Sequence, residues 1–177
     1  YFTESGMKDI TITCNSYSSF VIIDSFGKSI YNDYAPANTT YRYSFYANEN
    51  TRYFIKLTTS TINSFNYSIV SSVVYSLSTG STTNTYINAR STEVYDFYVN
   101  SSGYYIFETS SSLDPCLSLY LGTTMVAYND NSYILDEEGN EEIISDSYLF
   151  VYLNPGHYYL VLGNLSSTGG TISLDSR

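Results

Sequence analysis

LDPCLSLYLGTTMVAYNDN (Leu113–Asn131) and SDSYLFVYLNPGHYYLVL (Ser145–Leu162), separated by an acidic loop, are the stretch that decides the fold. Apolar residues recur at every second position, and Gly, Asn, Asp and Pro punctuate the runs. The order reads as strand, tight turn, strand ending at Tyr128-Asn129-Asp130, loop, then two strands around Asn154-Pro155-Gly156.

A weaker copy of this order lies about a hundred residues earlier. A shift of 97 places Phe20-Val21-Ile22-Ile23 on Leu117-Ser118-Leu119-Tyr120, and Tyr31-Asn32-Asp33 on Tyr128-Asn129-Asp130. A shift of 105 places Tyr43-Ser44-Phe45 on Tyr148-Leu149-Phe150, and Tyr53-Phe54-Ile55-Lys56 on Tyr158-Tyr159-Leu160-Val161. The difference is an eight-residue insertion, assigned to the acidic loop Ser132–Asp146. Two copies with one strand order predict an all-β protein of two tandem antiparallel β-sandwich, jelly-roll-like lobes, side by side. The first lobe is expected over residues 1–75 and the second over 91–177, joined by 76–90, where SLSTGSTTNT (Ser76–Thr85) is a low-complexity connection.

Within the first lobe, Ser25-Phe26-Gly27 is expected to turn one hairpin, Gly27 supplying a positive φ. Tyr41–Tyr46 and Tyr53–Thr58 are expected to form a second hairpin through Ala47–Asn50.

Composition agrees with strand. The 177 residues include 22 Tyr and no Trp, in a background of Ser, Thr and Asn with 14% charged residues. Net charge is −10, from 7 basic and 17 acidic residues, which argues against nucleic acid and anionic membrane surfaces as partners. No apolar run approaches the ~18 residues that membrane insertion requires. The opening Tyr1-Phe2-Thr3 reads as the interior of a longer multidomain polypeptide. Cys14 and Cys116 lie one per half in apolar strand contexts and read as buried free thiols, with a pair joining the lobes as the alternative. The composition suits a secreted or cell-surface bacterial module, expected to be a monomer.

Asp114-Pro115, Leu117, Leu119-Tyr120, Asn129-Asp130, Pro155-Gly156, Tyr158-Tyr159 and Gly170–Leu174 follow one another in an order that resembles the bacterial pre-peptidase C-terminal domain. The resemblance covers residues 91–174. The first lobe departs from it, with no Asp-Pro before Phe20 and no Pro-Gly before Tyr53, and reads as short of an initial strand. The resemblance implies a small jelly-roll-like sandwich attached to secreted enzymes or surface proteins. Some of its members bind calcium, and some bind collagen or polysaccharide.

Catalysis is not expected. The single histidine, His157, sits at the Pro-Gly turn without a nucleophile signature. Asp136, Glu137, Glu138, Glu141 and Glu142 cluster in one loop rather than on facing strands, unlike a glycosidase acid pair. No cofactor is required, although Asp114, Asp130 and Asp146 are hard oxygen donors that suit a calcium ion.

The tyrosines carry the binding reading, since a Tyr ring covers the C–H face of a sugar while its hydroxyl hydrogen-bonds. Arg42 and Lys56 should face water. Alternation then sends Tyr46 and Phe54 outward and Tyr43, Phe45, Tyr53 and Ile55 inward. Ser118 and Asp96 take Tyr120 and Tyr98 outward with them, and Tyr159 follows Phe54. Tyr34 and Tyr133 follow the Asn-Asp pairs, while Asn129 and Arg52 offer hydrogen bonds. The expected function is a non-catalytic carbohydrate-binding, starch-binding or polysaccharide-adherence module. Its ligand would be a neutral polysaccharide, an α-glucan first, held in a groove between the lobes. A collagen-type protein-binding accessory domain of a secreted protease and a structural spacer are the alternatives.

Overall fold

The computed structural model describes residues 2–59, 64–135, 138 and 141–177, with the backbone alone for Ile134 and Leu135. Every regular element among the described residues is a β-strand, and no helix is long and apolar enough to cross a membrane. The chain divides into two compact units, Tyr1–Ser72 and Val73–Arg177.

The first unit contains β1 (Gly6–Cys14), β2 (Ser18–Asp24), β3 (Ser29–Ala35), β4 (Thr39–Ala47), β5 (Tyr53–Thr59) and β6 (Phe65–Ser71). They form two antiparallel sheets of three, in the orders β4-β1-β6 and β3-β2-β5. Alternation turns Ile10, Ile12 and Cys14 of β1 and Tyr41, Tyr43 and Phe45 of β4 onto Phe20 and Ile22 of β2, and these make the core. The β2–β3 hairpin turns as expected. Gly27 has φ +82°, and the Asp24 carboxylate accepts the Phe26 and Lys28 amides at 2.9 Å each. The expected β4–β5 hairpin does not form. β4 pairs with β1 and β5 with β2, so the chain crosses between sheets at Asn48–Arg52.

The second unit contains β7 (Val74–Leu77), β8 (Ser81–Ile87), β9 (Ser91–Val99), β10 (Gly103–Ser110), β11 (Pro115–Leu121), β12 (Thr124–Asn129), β13 (Ser132–Leu135), β14 (Glu141–Ile144), β15 (Tyr148–Leu153), β16 (Gly156–Asn164) and β17 (Gly170–Ser176). One sheet has the order β15-β10-β17-β8 and the other β12-β11-β16-β9-β7. Leaving out the parallel edge strand β7, the two four-strand orders are those of a jelly roll. Phe97, Phe107, Leu117, Leu119, Leu160 and Leu174 lie between the sheets, Phe97 edge-on to Phe107 at 5.0 Å. The Ser76–Thr85 stretch read as a connection is therefore the end of β7, a turn over 78–80 and most of β8, which pairs with β17 from Ile87↔Gly170 to Ser81↔Ser176. The insertion Ser132–Asp146 folds as its own two-stranded arm, β13 against β14. Its tip residues Asp136 and Glu137 lie outside the described residues.

Strand pairing also revises the alignment of the two halves. Ile10 faces Tyr43, and Phe107 faces Leu149, so β4 and β15 correspond at a shift of 106 rather than 105. Phe20 faces Asp33 and Leu117 faces Asn129, which likewise moves β12 by one residue. A one-residue slip exchanges the faces of a strand. Tyr43 and Phe45 are core, whereas Tyr148 and Phe150 are exposed.

Both cysteines are free, Cys14 buried and Cys116 half-buried. The Cys116 sulfur lies against Gly163 on the adjacent strand, where an added Cβ would come within 2.5 Å of it.

Candidate functional site

β15 carries aromatic residues on one face and aliphatic ones on the other. Leu149, Val151 and Leu153 pack into the core, so alternation drives Tyr148, Phe150 and Tyr152 outward. Across the pair, Tyr104 faces Tyr152, Ile106 faces Phe150 and Glu108 faces Tyr148. The rings form a continuous row. Tyr104 stacks on Phe150 at 4.8 Å and 7°, and meets Tyr152 edge-on at 5.2 Å. Tyr104 is 66% exposed, Phe150 60% and Tyr152 54%, which is unusual for rings that already touch one another. At the far end of the face Arg177 pairs with Glu108 and, at 2.6 Å, with Asp175.

The row runs into a cavity of about 560 Å³, which shares Tyr148 and Glu108 with it. Its other walls come from Thr109 and Ser110, from Asn129, Asn131, Ser132 and Tyr133 at the root of the arm, and from Ile144, Asp146 and Ser147. Ser147 fixes this root. Fully buried, its hydroxyl lies 2.9 Å from the Pro115 carbonyl and 3.0 Å from that of Asn129. Its amide donates to the Thr109 hydroxyl at 2.7 Å, and the Asn129 side-chain oxygen accepts the Tyr148 amide at 3.2 Å.

Two polar atoms in the cavity lining have no partner among the described residues although both are buried, Asp146 Oδ1 and the Ser132 hydroxyl. Such atoms cost about 1–3 kcal/mol each unless water or a ligand satisfies them. Burial pushes the Asp146 carboxyl above its ordinary value, against hydrogen bonds from the Ser111 backbone and the Thr109 hydroxyl. Burial, and then the Asp130 charge, raise the Asp114 carboxyl. Asp114 and Asp130 thus lie near each other, but among the described residues no three His, Cys, Asp or Glu side chains gather in a metal-binding group.

The residues expected from the sequence to bind ligand fall into several places. Asn129, Tyr133 and Asp146 meet at the cavity, where Tyr133 is exposed. Tyr98 and Tyr159 flank His157 on β9 and β16, with Tyr98 stacked on the imidazole at 4.1 Å and Tyr159 at 4.5 Å. In the first unit Tyr34 stacks on Tyr17 at 5.5 Å, Phe54 and Arg52 are exposed on the β5 side, and Tyr46 is half-buried.

Tyr120 corrects its expectation. Opposite in direction to Leu119, it is nevertheless 2% exposed, and burial pushes its hydroxyl up to about 12. Ser118 and Val161 on the same sheet face are buried too. Alternation separates the two faces of a sheet without making the second one wet. The row Tyr104, Phe150 and Tyr152 was not anticipated. The one-residue slip laid Phe150 on buried Phe45, whereas the unbroken aliphatic set Leu149, Val151 and Leu153 marks the opposite face as core.

The geometry defines an all-β sandwich with an aromatic surface. No protein-family model matches the chain, and no curated protein matches it. Among solved structures it is similar to the pre-peptidase C-terminal domain of a collagenase from Bacillus anthracis. That likeness has 17% identity and a TM-score of 0.49, covering 60% of this chain and 96% of that one.

Proposed function

We propose that the chain is a non-catalytic binding module of an extracellular bacterial protein, holding a neutral polysaccharide on the second unit, and that its two units are tandem copies of one module. The observation that carries the binding reading is the exposed row Tyr152, Tyr104 and Phe150 leading into the Asp146–Ser132 cavity. Sugar rings lie over the aromatic faces by their C–H surfaces, and sugar hydroxyls donate to the unpaired Asp146 oxygen. Acidic residues make up twelve of the fourteen charges in the second unit, which disfavours uronate polymers and leaves neutral glycans, an α-glucan such as starch first. Calcium, if bound, would engage Asp146 through the same free oxygen, with Asp114 and Asp130 as a separate carboxylate pair.

Affinity electrophoresis in soluble starch, β-glucan and xylan tests the reading. Retardation in starch is expected, and Tyr104→Ala or Phe150→Ala should weaken it about tenfold or more with little change in melting temperature. Phe54→Ala should leave it intact. Free migration in all three gels, with capture on collagen fibrils, would favour a protein ligand. One observation supports that second reading: β15 is the edge strand of its sheet, so a partner strand could add beside the aromatic row. Melting in EDTA against added calcium tests the ion, and an unchanged Tm would remove it.

A further inference from the structure

We infer that the corner of the second unit between β7 and β8 binds a primary alkylammonium group, with Glu93 as its counter-charge and Tyr75 and Tyr95 as its walls. Alternation makes this corner polar. On β8 Ile87 is buried in the core, so Thr85 and Thr83 follow it on the inward face. On β9 the inward set Val99, Phe97 and Tyr95 ends in Glu93. A glutamate on the core face of a strand destabilises the fold unless its charge is answered. Between these strands and Tyr75–Ser76 of β7 lies a cavity of about 340 Å³. It shares no residue with the Tyr104 row or the Asp146 cavity, and β8 and β15 are opposite edges of one sheet.

The Glu93 carboxylate is held by one of its two oxygens. Its Oε2 accepts from the Thr85 hydroxyl at 2.7 Å and from the Tyr95 hydroxyl at 2.9 Å. Burial, and then the Glu93 charge, push the Tyr95 hydroxyl above its ordinary value, so it stays a donor. Two neutral hydroxyls orient the carboxylate without neutralising it. Among the described residues, Oε1 accepts no hydrogen bond and no basic side chain pairs with Glu93. The two arginines of this unit are engaged elsewhere: Arg177 pairs with Glu108 and Asp175, and Arg90 donates to the Leu165 carbonyl at 3.3 Å.

The remaining chemistry selects the cation. Tyr75 is exposed and meets Tyr95 at 5.9 Å and 43°, so the two rings make a bent wall beside the carboxylate, and ring faces attract organic cations. Calcium takes about six to eight oxygen ligands, whereas Glu93 is the one carboxylate lining this cavity among the described residues. A guanidinium pairs best through both carboxylate oxygens, and Oε2 is already filled. A quaternary ammonium has no N–H for Oε1. A primary ammonium has one for it, and further donors for the Thr83 hydroxyl and the Asn84 side-chain oxygen, which line the same cavity. The unit's acidic surface draws such cations toward it. A lysine side chain and a free diamine share this chemistry.

Titration of the 177-residue chain with n-butylammonium chloride, followed by amide NMR against n-butanol and sodium chloride, tests this. Saturable shifts at Tyr75, Thr85, Glu93 and Tyr95 are expected, with a Kd of about 1 mM. Glu93→Gln keeps an acceptor for Thr85 and Tyr95 but no charge, so it should weaken binding about tenfold or more with an unchanged melting temperature. Tyr75→Ala, at an exposed ring, should weaken it about threefold. A capped lysine peptide and 1,5-diaminopentane then assign the source. Tighter binding of the peptide points to a lysine of a protein, tighter binding of the diamine to a free amine, and either supports the site. Equal shifts with n-butanol overturn the inference, because the corner is then only an apolar hollow. So do unchanged signals with n-butylammonium, and so does binding undiminished in either variant, which marks diffuse attraction to the acidic surface. Unfolding of Glu93→Gln leaves Tyr75→Ala to decide.

Discussion

The two units share six strands in one spatial order and differ in how they are finished. In the second, β8 and β9 close both sheets, and the apolar set between them is buried throughout. In the first, β5 and β6 are edges and the matching apolar set is half open. Charge divides the same way. Residues 1–72 hold five basic and five acidic residues, and residues 73–177 hold two basic and twelve acidic. One scaffold thus yields a unit of balanced charge in which β5 and β6 are edge strands among the described residues, and an acidic unit with an aromatic face.

The sharpest way to break this comparison is at Asp9, whose counterpart at a shift of 97 is Ile106. Asp9 is buried and accepts from the Ser44 and Ser72 hydroxyls at 2.7 and 2.6 Å and from the Arg42 guanidinium. Asp9→Ala should cost about 3–4 kcal/mol in urea unfolding, because it strands a cation and two hydroxyls, whereas Ile106→Ala should cost only about 1. Equal costs would mean that the Asp9 network contributes little.

Core truncation comes next. Leu160→Ala should destabilise the second unit by about 3 kcal/mol, and its counterpart Ile55→Ala should take about half as much from the first. Matching losses would show that the first unit is as closed as the second. At Gly163, alanine should cost about 2 kcal/mol through the clash with the Cys116 sulfur, and Cys116→Ala in the same chain should restore most of it. A Gly163→Ala loss that Cys116→Ala does not relieve would place the strain elsewhere.

The smallest effect concerns pH. Asp114 and Asp146 hold their protons more tightly folded than unfolded, so folding takes up protons just above the ordinary carboxyl value of 3.8. Their contribution is therefore present at low pH and lost as pH rises through the raised values. Asp114→Asn should flatten part of that fall in Tm between about pH 3 and 6, and a parallel curve would remove Asp114 from the account.

Much of the sandwich was legible because alternation and turn residues are local signals. The hairpin at Gly27, the buried β1, β2, β11 and β16, and the extra residues at Ser132–Asp146 all follow from them. What failed was pairing across distance. Ala47–Asn50 looks like a hairpin turn, but the jelly roll sends successive strands to opposite sheets, and nothing local announces that crossing. Ser76–Thr85 looks like linker because Ser, Thr and Asn are polar, although on an outer strand those side chains simply face water. The cavity was partly legible, through Asn129, Tyr133 and Asp146. The aromatic row was not, since similarity between Tyr-Ser-Phe and Tyr-Leu-Phe outweighed the core pattern and shifted β15 by one residue.

Ser147 gives the arm β13–β14 a consequence of its own. By tying the arm's root to Pro115, Asn129 and Thr109, it fixes the point at which the arm leaves the sandwich. For an engineer the arm is the natural grafting point, beside the cavity and held at its root by Ser147.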